Sequence, residues 1–560
     1  MKNASQAFPL FRWLPLYKGN QFRHDLLAGL TLAFFVIPEA MAYASLAGLP
    51  PQTGIYCYLF AGMIYFLFGT SRQIAIGPTS AISMVIGASI GILSGGDPLQ
   101  ATMIASATAI IVALLFVIAY LIRFSALTNF ISDTILTGFK AGAALAIAST
   151  QIPKLFGFNT RGDNFFERIA FFFLHLGDSH LFTMIFGLTA LSVLILAYRY
   201  LPGKPISLAV VLVSILLVVL TPVENLGLKM TGALPHGYRI PEFPVITFSM
   251  LKETIGLALA CFFLAYIETV SAARALARKN GYEIDPRQEL LALGAVNLAV
   301  GAGGGYPSAG GLSQSTVNDR SGARSPFSLL ITSTLLLLFL FFFTGVTRYL
   351  PEVMLPVIVL HAIGTLVNFR EMKHLRRVSR SEFLIMLLSI LAVLVFGILN
   401  GLLISMILSV IFLLKNDSTP HVAILGKARG GSRMTDILRH PENTPIPGLL
   451  ILRVEASILY FNVPYLRDHI RGLLDNQGEG LKMVIFDLSS SNSLDVAGAR
   501  YLIDLKHELN QKNIELRVVE AIGSVRDILR AEGLEKEIGH ISRKVTLEEV
   551  VEAAVRPPST

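Results

Sequence analysis

Gly303-Gly304-Gly305-Tyr306-Pro307-Ser308-Ala309-Gly310-Gly311-Leu312-Ser313-Gln314-Ser315 breaks the second half of an apolar chain, and Ile76-Gly77-Pro78-Thr79-Ser80-Ala81 breaks the first half. Each opens an apolar run too short and too interrupted for an ordinary membrane helix. Counting spans places each at the third pass of a set of seven. A matched pair of Gly/Pro-interrupted segments is the best sequence pointer to a transporter binding site. A half-helix that starts inside the membrane leaves free N–H groups and the positive end of its dipole there. Two such ends facing each other make an anion site without a formal charge. Close helix packing would explain the glycines at one place; two in corresponding places favour a site. Irregular backbone at this depth must line a cavity or be buried in protein. The site is therefore expected near the bilayer midplane, between two groups of helices.

Composition excludes other classes. The 560 residues are 53% apolar and 15% charged, with mean hydropathy +0.62, where soluble proteins carry about 25% charged residues. Only two cysteines occur, Cys57 and Cys261, both inside apolar stretches, which excludes a secreted disulfide scaffold. A disordered chain would be far less apolar. The composition changes near residue 420. Of 46 basic and 38 acidic residues, 18 and 19 fall in 421–560, leaving 28 and 19 before it. The tail thus has roughly the charge density of a soluble domain, about 26%. The excess positive charge belongs to the apolar part, where it orients the chain in a lipid bilayer rather than binding nucleic acid.

Passes are expected near 26–46, 54–70, 79–94, 99–121, 129–150, 177–198, 205–222, 254–277, 285–302, 313–324, 326–346, 350–366, 382–398 and 400–416. Lys18 and Arg23, Arg72, Arg123, Arg199 with Lys204, Arg274 with Arg278 and Lys279, Arg320 with Arg324, and the run Lys373, Arg376, Arg377, Arg380 fall on one side of these passes. This positive-inside pattern puts both termini in the cytoplasm. The N-terminal residues 1–25 are polar to amphipathic and read as a cytoplasmic segment without a signal peptide. Residues 26–417 then form the membrane domain and 420–560 a separate soluble one.

Several ordered motifs resemble one family. Val36-Ile37-Pro38-Glu39-Ala40-Met41-Ala42-Tyr43-Ala44-Ser45-Leu46-Ala47-Gly48-Leu49-Pro50-Pro51 is similar to the first-helix signature of the SulP (sulfate permease) anion transporters. Gly77-Pro78-Thr79-Ser80-Ala81 resembles their third helix and Tyr266-Ile267-Glu268-Thr269-Val270-Ser271 their eighth. Ser313-Gln314-Ser315-Thr316-Val317-Asn318 with Gly322-Ala323-Arg324-Ser325-Pro326 resembles their tenth, and the tail resembles their cytoplasmic STAS domain. The resemblance implies a polytopic α-helical membrane protein of fourteen spans in a seven-plus-seven inverted repeat. Passes 1–4 and 8–11 would form a core that carries the substrate, and passes 5–7 and 12–14 a gate. It further implies elevator-like movement of core against gate, a homodimer, and a C-terminal α/β STAS domain.

Substrate binding is expected at Glu39, Tyr43, Thr79, Ser80, Ala81, Ser313, Gln314 and Ser315, the half-helix starts supplying backbone N–H groups and the resemblance implying the Glu39 position. Glu39 follows Pro38, which removes a backbone donor. A carboxylate beside an anion site repels the substrate unless it is protonated or paired with a cation, which is how a cation becomes coupled to an anion. Glu268 lies deep in the eighth pass; Arg274 is six residues on and off its helix face. The family uses an acidic residue here for coupling to protons or sodium, so Glu268 and Glu39 are the coupling candidates, with a sodium site near Glu268 as one form. Lys140 sits too far inside the fifth pass to snorkel and is expected to act electrostatically on the anion or to be paired. Many relatives have Arg where this chain has Gln314, so the site must rely on backbone N–H groups, hydroxyls and the Gln314 amide.

In the tail, 449–454, 483–488 and 514–519 read as strands, and Asp495 as the cap of a helix. Regulatory STAS relatives carry a phosphorylatable Ser or Thr after that Asp; Val496 and Ala497 stand here. A docking or dimer-stabilising role, or a regulatory partner, is expected in place of a phosphorylation switch. The sequence carries no HExxH, GxSxG or metal-spaced Cys/His cluster in its spans, so an enzyme is not expected. The expected function is secondary active transport of a small anion, sulfate first, by proton- or sodium-coupled symport in the inner or plasma membrane, without a cofactor. Bicarbonate or dicarboxylate transport, and an uncoupled exchanger or channel, are the alternatives.

Overall fold

The computed structural model describes residues 8–123, 133–162, 164–200, 206–221, 227–238, 248–364, 366–429, 433–477, 480–539, 541 and 545–555. Lys204 and the expected start of the fifth pass, 129–132, lie outside the described residues. The chain divides into two compact units, Met1–Ser409 and Val410–Thr560.

Among the described residues, fourteen helices follow the expected spans. The first seven are α1 Gly19–Leu46, α2 Pro51–Phe68, α3 Ser80–Leu93, α4 Pro98–Leu121, α5 Asp133–Leu155, α6 Leu181–Tyr200 and α7 Ile206–Leu220. The second seven are α8 Phe248–Asn280, α9 Pro286–Ala302, α10 Leu312–Arg320, α11 Phe327–Phe342, α12 Met354–Gly364, α13 Arg380–Phe396 and α14 Ile398–Ser418. Local chemistry sets several starts. Asp97 caps α4 by accepting from Leu99 N–H, with Pro98 in the first turn. Asp285 does the same for α9, with Pro286 following. Both pair a side-chain acceptor with a proline whose missing N–H would be an orphan there anyway.

Helices α1–α4 and α8–α11 pack on one another: α9 lies against α4 and α2, α11 against α1 and α2, and α8 against α3 and α4. The others form a second group, in which α13 and α12 lie on α5 and α12 on α6. These are the core and gate. Small residues permit the closest crossings: a Cβ at Gly54 of α2 would stand 2.0 Å from the Ala40 carbonyl of α1. On one face of the core Asp25 is fully buried and accepts from Tyr17 Oη at 2.8 Å, Arg324 N–H at 2.6 Å, Ser325 N–H at 3.1 Å and Ser325 Oγ at 2.6 Å. Its carboxylate thereby ties α1 to the turn before α11.

The two interrupted segments cross at the core's centre. Strand β1 (Ile76–Gly77) pairs antiparallel with β2 (Ala309–Gly310), Ile76 opposite Gly310 and Gly77 opposite Ala309. Side chains satisfy the backbone groups this leaves in the protein interior. Gly310 N–H donates to Thr269 Oγ1 at 2.7 Å, and Ser308 N–H to Asn297 Oδ1 at 2.8 Å.

The structure corrects the sequence reading in places. Helix α1 starts at Gly19, inside the stretch set aside as an N-terminal segment. Two ten-residue helices, Phe165–Leu174 and Phe369–Val378, occupy stretches expected as connections. The first is apolar apart from Glu167 and Arg168 but too short to read as a span, and the second sets apolar residues among charged ones, so a search for long apolar runs passes over both.

The second unit carries a five-stranded sheet in the order β4-β3-β5-β6-β7, from β3 Val422–Lys427, β4 Met434–Asp436, β5 Leu449–Val454, β6 Met483–Asp487 and β7 Glu515–Val519. The β5, β6 and β7 strands run parallel and β3 antiparallel to β4 and β5. Helices α15 Val463–Asp475, α16 Val496–Gln511 and α17 Gly523–Ala531 contribute Leu466, Leu502 and Leu529 to the core on one sheet face. Asp495 caps α16 by accepting from Gly498 N–H at 2.8 Å, as the sequence implies.

Candidate functional site

A cavity of about 600 Å³ lies between core and gate. The N-terminal ends of α3 and α10 open onto it, since Thr79, Ser80, Gly311, Ser313 and Gln314 all line its wall. The first four N–H groups of a helix have no partner within it. At α10 the residue before the helix, Gly311, offers no side-chain cap. At α3 the Thr79 hydroxyl accepts from Ile82 N–H at 3.3 Å, leaving Ser80 and Ala81 N–H to the cavity end.

Glu39, Tyr43, Lys140 and Glu268 line the same cavity. Glu39 is 4% exposed and is held by two phenols: Tyr43 Oη donates to Oε1 at 2.9 Å and Tyr58 Oη to Oε2 at 3.3 Å. The four-residue spacing of Glu39 and Tyr43 stacks them on one helix face. Glu268 faces Thr79 from α8 and feels the charge of Lys140 across the seam. Its Oε2 is buried and has no hydrogen-bond partner among the described residues. Gln314 is 2% exposed, folds back over Gly311, and donates from Nε2 to the Pro78 carbonyl at 3.4 Å. It therefore bridges the two interrupted segments.

Ala81 and Ser315 do not line the cavity. Ala81 is buried in the core, where only its backbone stands at the α3 end. Ser315 Oγ accepts from Ala75 N–H at 2.9 Å and fastens the lead-in to β1. Two residues beyond Ser313, it points roughly 200° around α10 and so away from the cleft.

The sequence reading missed other lining residues. Thr137 precedes Lys140 by one helical turn and Ser271 follows Glu268 by one, so helical spacing from the two charges would have found them. Tyr198 and His361 had no such signal. They stack across the gate with ring centroids 4.5 Å apart, and Tyr198 Oη bonds Ser207 Oγ at 2.9 Å. The cavity runs on to Arg320 and Asn368, among the basic connections. A second cavity, of about 590 Å³, includes Ser45, Gly87, Thr150 and Lys154 at the opposite ends of α1, α3 and α5. Among the described residues no three His, Cys, Asp or Glu side chains gather as a metal cluster.

The profile of the Sulfate permease family matches residues 22–389, and that of the STAS domain residues 440–551. The chain belongs to the sulfate permease family. It is 30% identical over 537 residues to a probable sulfate transporter of Mycobacterium tuberculosis, covering 96% of both chains. It is 29% identical over 550 residues to the chloroplastic sulfate transporter 4.1 of Arabidopsis thaliana, covering 95% of this chain and 80% of that one. Among solved structures it matches murine Solute Carrier 26 family member A9, an anion transporter in the inward-facing state, with a TM-score of 0.89 at 19% identity, over 98% of this chain and 94% of that one. The transmembrane domain of the cyanobacterial bicarbonate transporter BicA matches with a TM-score of 0.61 at 19% identity, over 70% of this chain and 98% of that one. At these identities the solved structures speak for the fold. This sulfate permease family member is thus a multi-pass membrane protein of core and gate with a C-terminal STAS domain.

Proposed function

We propose that the protein is a secondary active transporter of small anions, with sulfate as the leading substrate and a proton or sodium ion as the coupled cation. One observation carries the reading: the N-terminal ends of two half-helices open on one cavity, bridged by the Gln314 amide. Backbone N–H groups and positive dipole ends there stabilise an anion without a formal charge. The sulfate transporters among the relatives favour an oxyanion.

Coupling follows from the charge balance. Glu39 and Glu268 face the cavity, Lys140 is the cation that acts on Glu268, and Gln314 brings no charge. A dianion entering this space is repelled unless a cation enters with it. The unpartnered Glu268 Oε2 is a ready acceptor for a proton or sodium ion. Both half-helices ride on the core while Lys140, Tyr198 and His361 belong to the gate, so sliding the core along the gate carries the anion across. The cavity's continuation toward Arg320 and Asn368 supports an inward-open state, with both termini in the cytoplasm of a protein in the inner or plasma membrane. A homodimer, with the STAS domain as its stabiliser or the seat of a regulatory partner, completes the proposal.

The test is uptake into proteoliposomes of sulfate, bicarbonate, chloride, fumarate and succinate, with and without proton and sodium gradients. Gradient-driven sulfate accumulation supports the reading. Uptake that responds to neither gradient makes the protein an exchanger or channel, and a clear preference for bicarbonate or a dicarboxylate reassigns the substrate.

A further inference from the structure

The helix Phe369–Val378 joins two gate helices, α12 and α13. Its inner side packs on α5 and α13, with Leu375 buried and Met372 half-buried. Around the rest of the helix Arg370, Lys373, Arg376 and Arg377 are exposed, and Arg380 continues the set at the start of α13. None of these five cations makes a salt bridge among the described residues. The nearby carboxylates do not serve them. Glu382 accepts from the Thr134 hydroxyl of α5 at 2.8 Å, and Glu371 is half-buried in the first turn, under the Asn368 cap. Phe369 and Val378, one at each end, are both 69% exposed.

A short amphipathic helix joined to the ends of two membrane helices is placed where it can lie in the bilayer surface. A basic face flanked by exposed apolar side chains is the composition that seats there, with cations at the headgroups and apolar groups below them. A face turned only to water would leave Phe369 and Val378 solvated. A funnel for the transported anion would put the cations on the cavity wall, yet the wall ends at Leu366 and Asn368, before the first of them.

We propose that this helix binds the phosphate groups of anionic phospholipids and so holds the gate in the membrane surface while the core moves. Unpaired cations within a Debye length of an anionic leaflet are attracted to it. Their spacing along one helical face matches a row of headgroups rather than a single ion.

The experiment measures thermal unfolding of the full-length protein in detergent titrated with phosphatidylglycerol, phosphatidylcholine or inorganic phosphate. Wild type is expected to be stabilised by phosphatidylglycerol and not by phosphatidylcholine. The variant Arg370→Gln/Lys373→Gln/Arg376→Gln/Arg377→Gln should need at least about tenfold more phosphatidylglycerol for the same shift. It should keep the wild-type unfolding temperature in phosphatidylcholine, which excludes misfolding. Replacing the three arginines by lysine should preserve the response. The proposal is overturned if phosphatidylglycerol acts no differently from phosphatidylcholine on wild type. It is equally overturned if the glutamine variant responds as wild type does, or if inorganic phosphate reproduces the effect through the same four residues.

Discussion

Gly311→Ala offers a way to move Gln314 without touching it. Gly311 has φ −84° and ψ 142°, extended backbone that alanine adopts freely. A Cβ there would stand 2.2 Å from Gln314 Nε2 and 2.5 Å from its Cδ and Oε1. These atoms are the far end of a flexible side chain, so the amide swings out and the backbone stays. The exchange itself stabilises by about 0.4–1 kcal/mol through the unfolded chain. The displaced amide loses its bond to Pro78 O and its place beside the anion. A hydrogen bond to a charged group contributes about 1.5–3 kcal/mol, so the apparent dissociation constant for sulfate should rise by about tenfold or more. Gln314→Ala should do the same, and the double variant should be no worse than either single one, because both remove one interaction. Sulfate binding by calorimetry on the purified protein, with thermal unfolding as the folding control, measures all four corners of the cycle. Additive losses, or unchanged affinity in Gly311→Ala, would refute the placement of Gln314 at the anion.

Other outcomes follow from separate parts of the molecule. Glu268→Gln keeps the shape and a hydrogen-bonding head but cannot titrate; it should abolish gradient-driven accumulation while leaving sulfate binding intact, and wild-type accumulation in this variant would move coupling elsewhere. Asp25→Ala leaves the buried Ser325 N–H and hydroxyl without their acceptor, a loss of about 3 kcal/mol that a thermal melt should register as a lower midpoint. In the soluble unit His421 Nε2 lies 2.9 Å from Asp436 Oδ2. Burial pushes the Asp436 carboxyl up, but the His421 ring, the Leu438 N–H and the nearby Arg439 outweigh it and hold the group below its ordinary value. The stability this contributes is present above the ordinary carboxylate range and lost as pH falls through the folded value. The deficit of His421→Ala in denaturant unfolding should therefore shrink as pH falls below the ordinary aspartate value of about 4, and a deficit independent of pH would count against the pair.

Local pattern carried much of this. The glycines and prolines at 76–78 and 303–311 announce two broken helices because no regular span tolerates them in lipid, and the alternating basic loops order the spans because charge cannot rest in hydrocarbon. Glu39, Glu268 and Lys140 were legible as charges with no reason to sit in a membrane except function or pairing. The pairing of β1 with β2, the seat of Gln314 across Gly311, and the turning of Ser315 toward Ala75 were not. They depend on how the two halves meet, which adjacent residues do not encode. Tyr198 and His361 lie on apolar helices far apart in the chain and become neighbours only when α6 and α12 pack. The sequence alone determined where the chain enters the bilayer, where it breaks, and which charges it leaves inside, since each follows from transferring short segments between water and lipid. The tertiary structure decided which of those residues share one cavity, because facing between helices is set by contacts hundreds of residues apart.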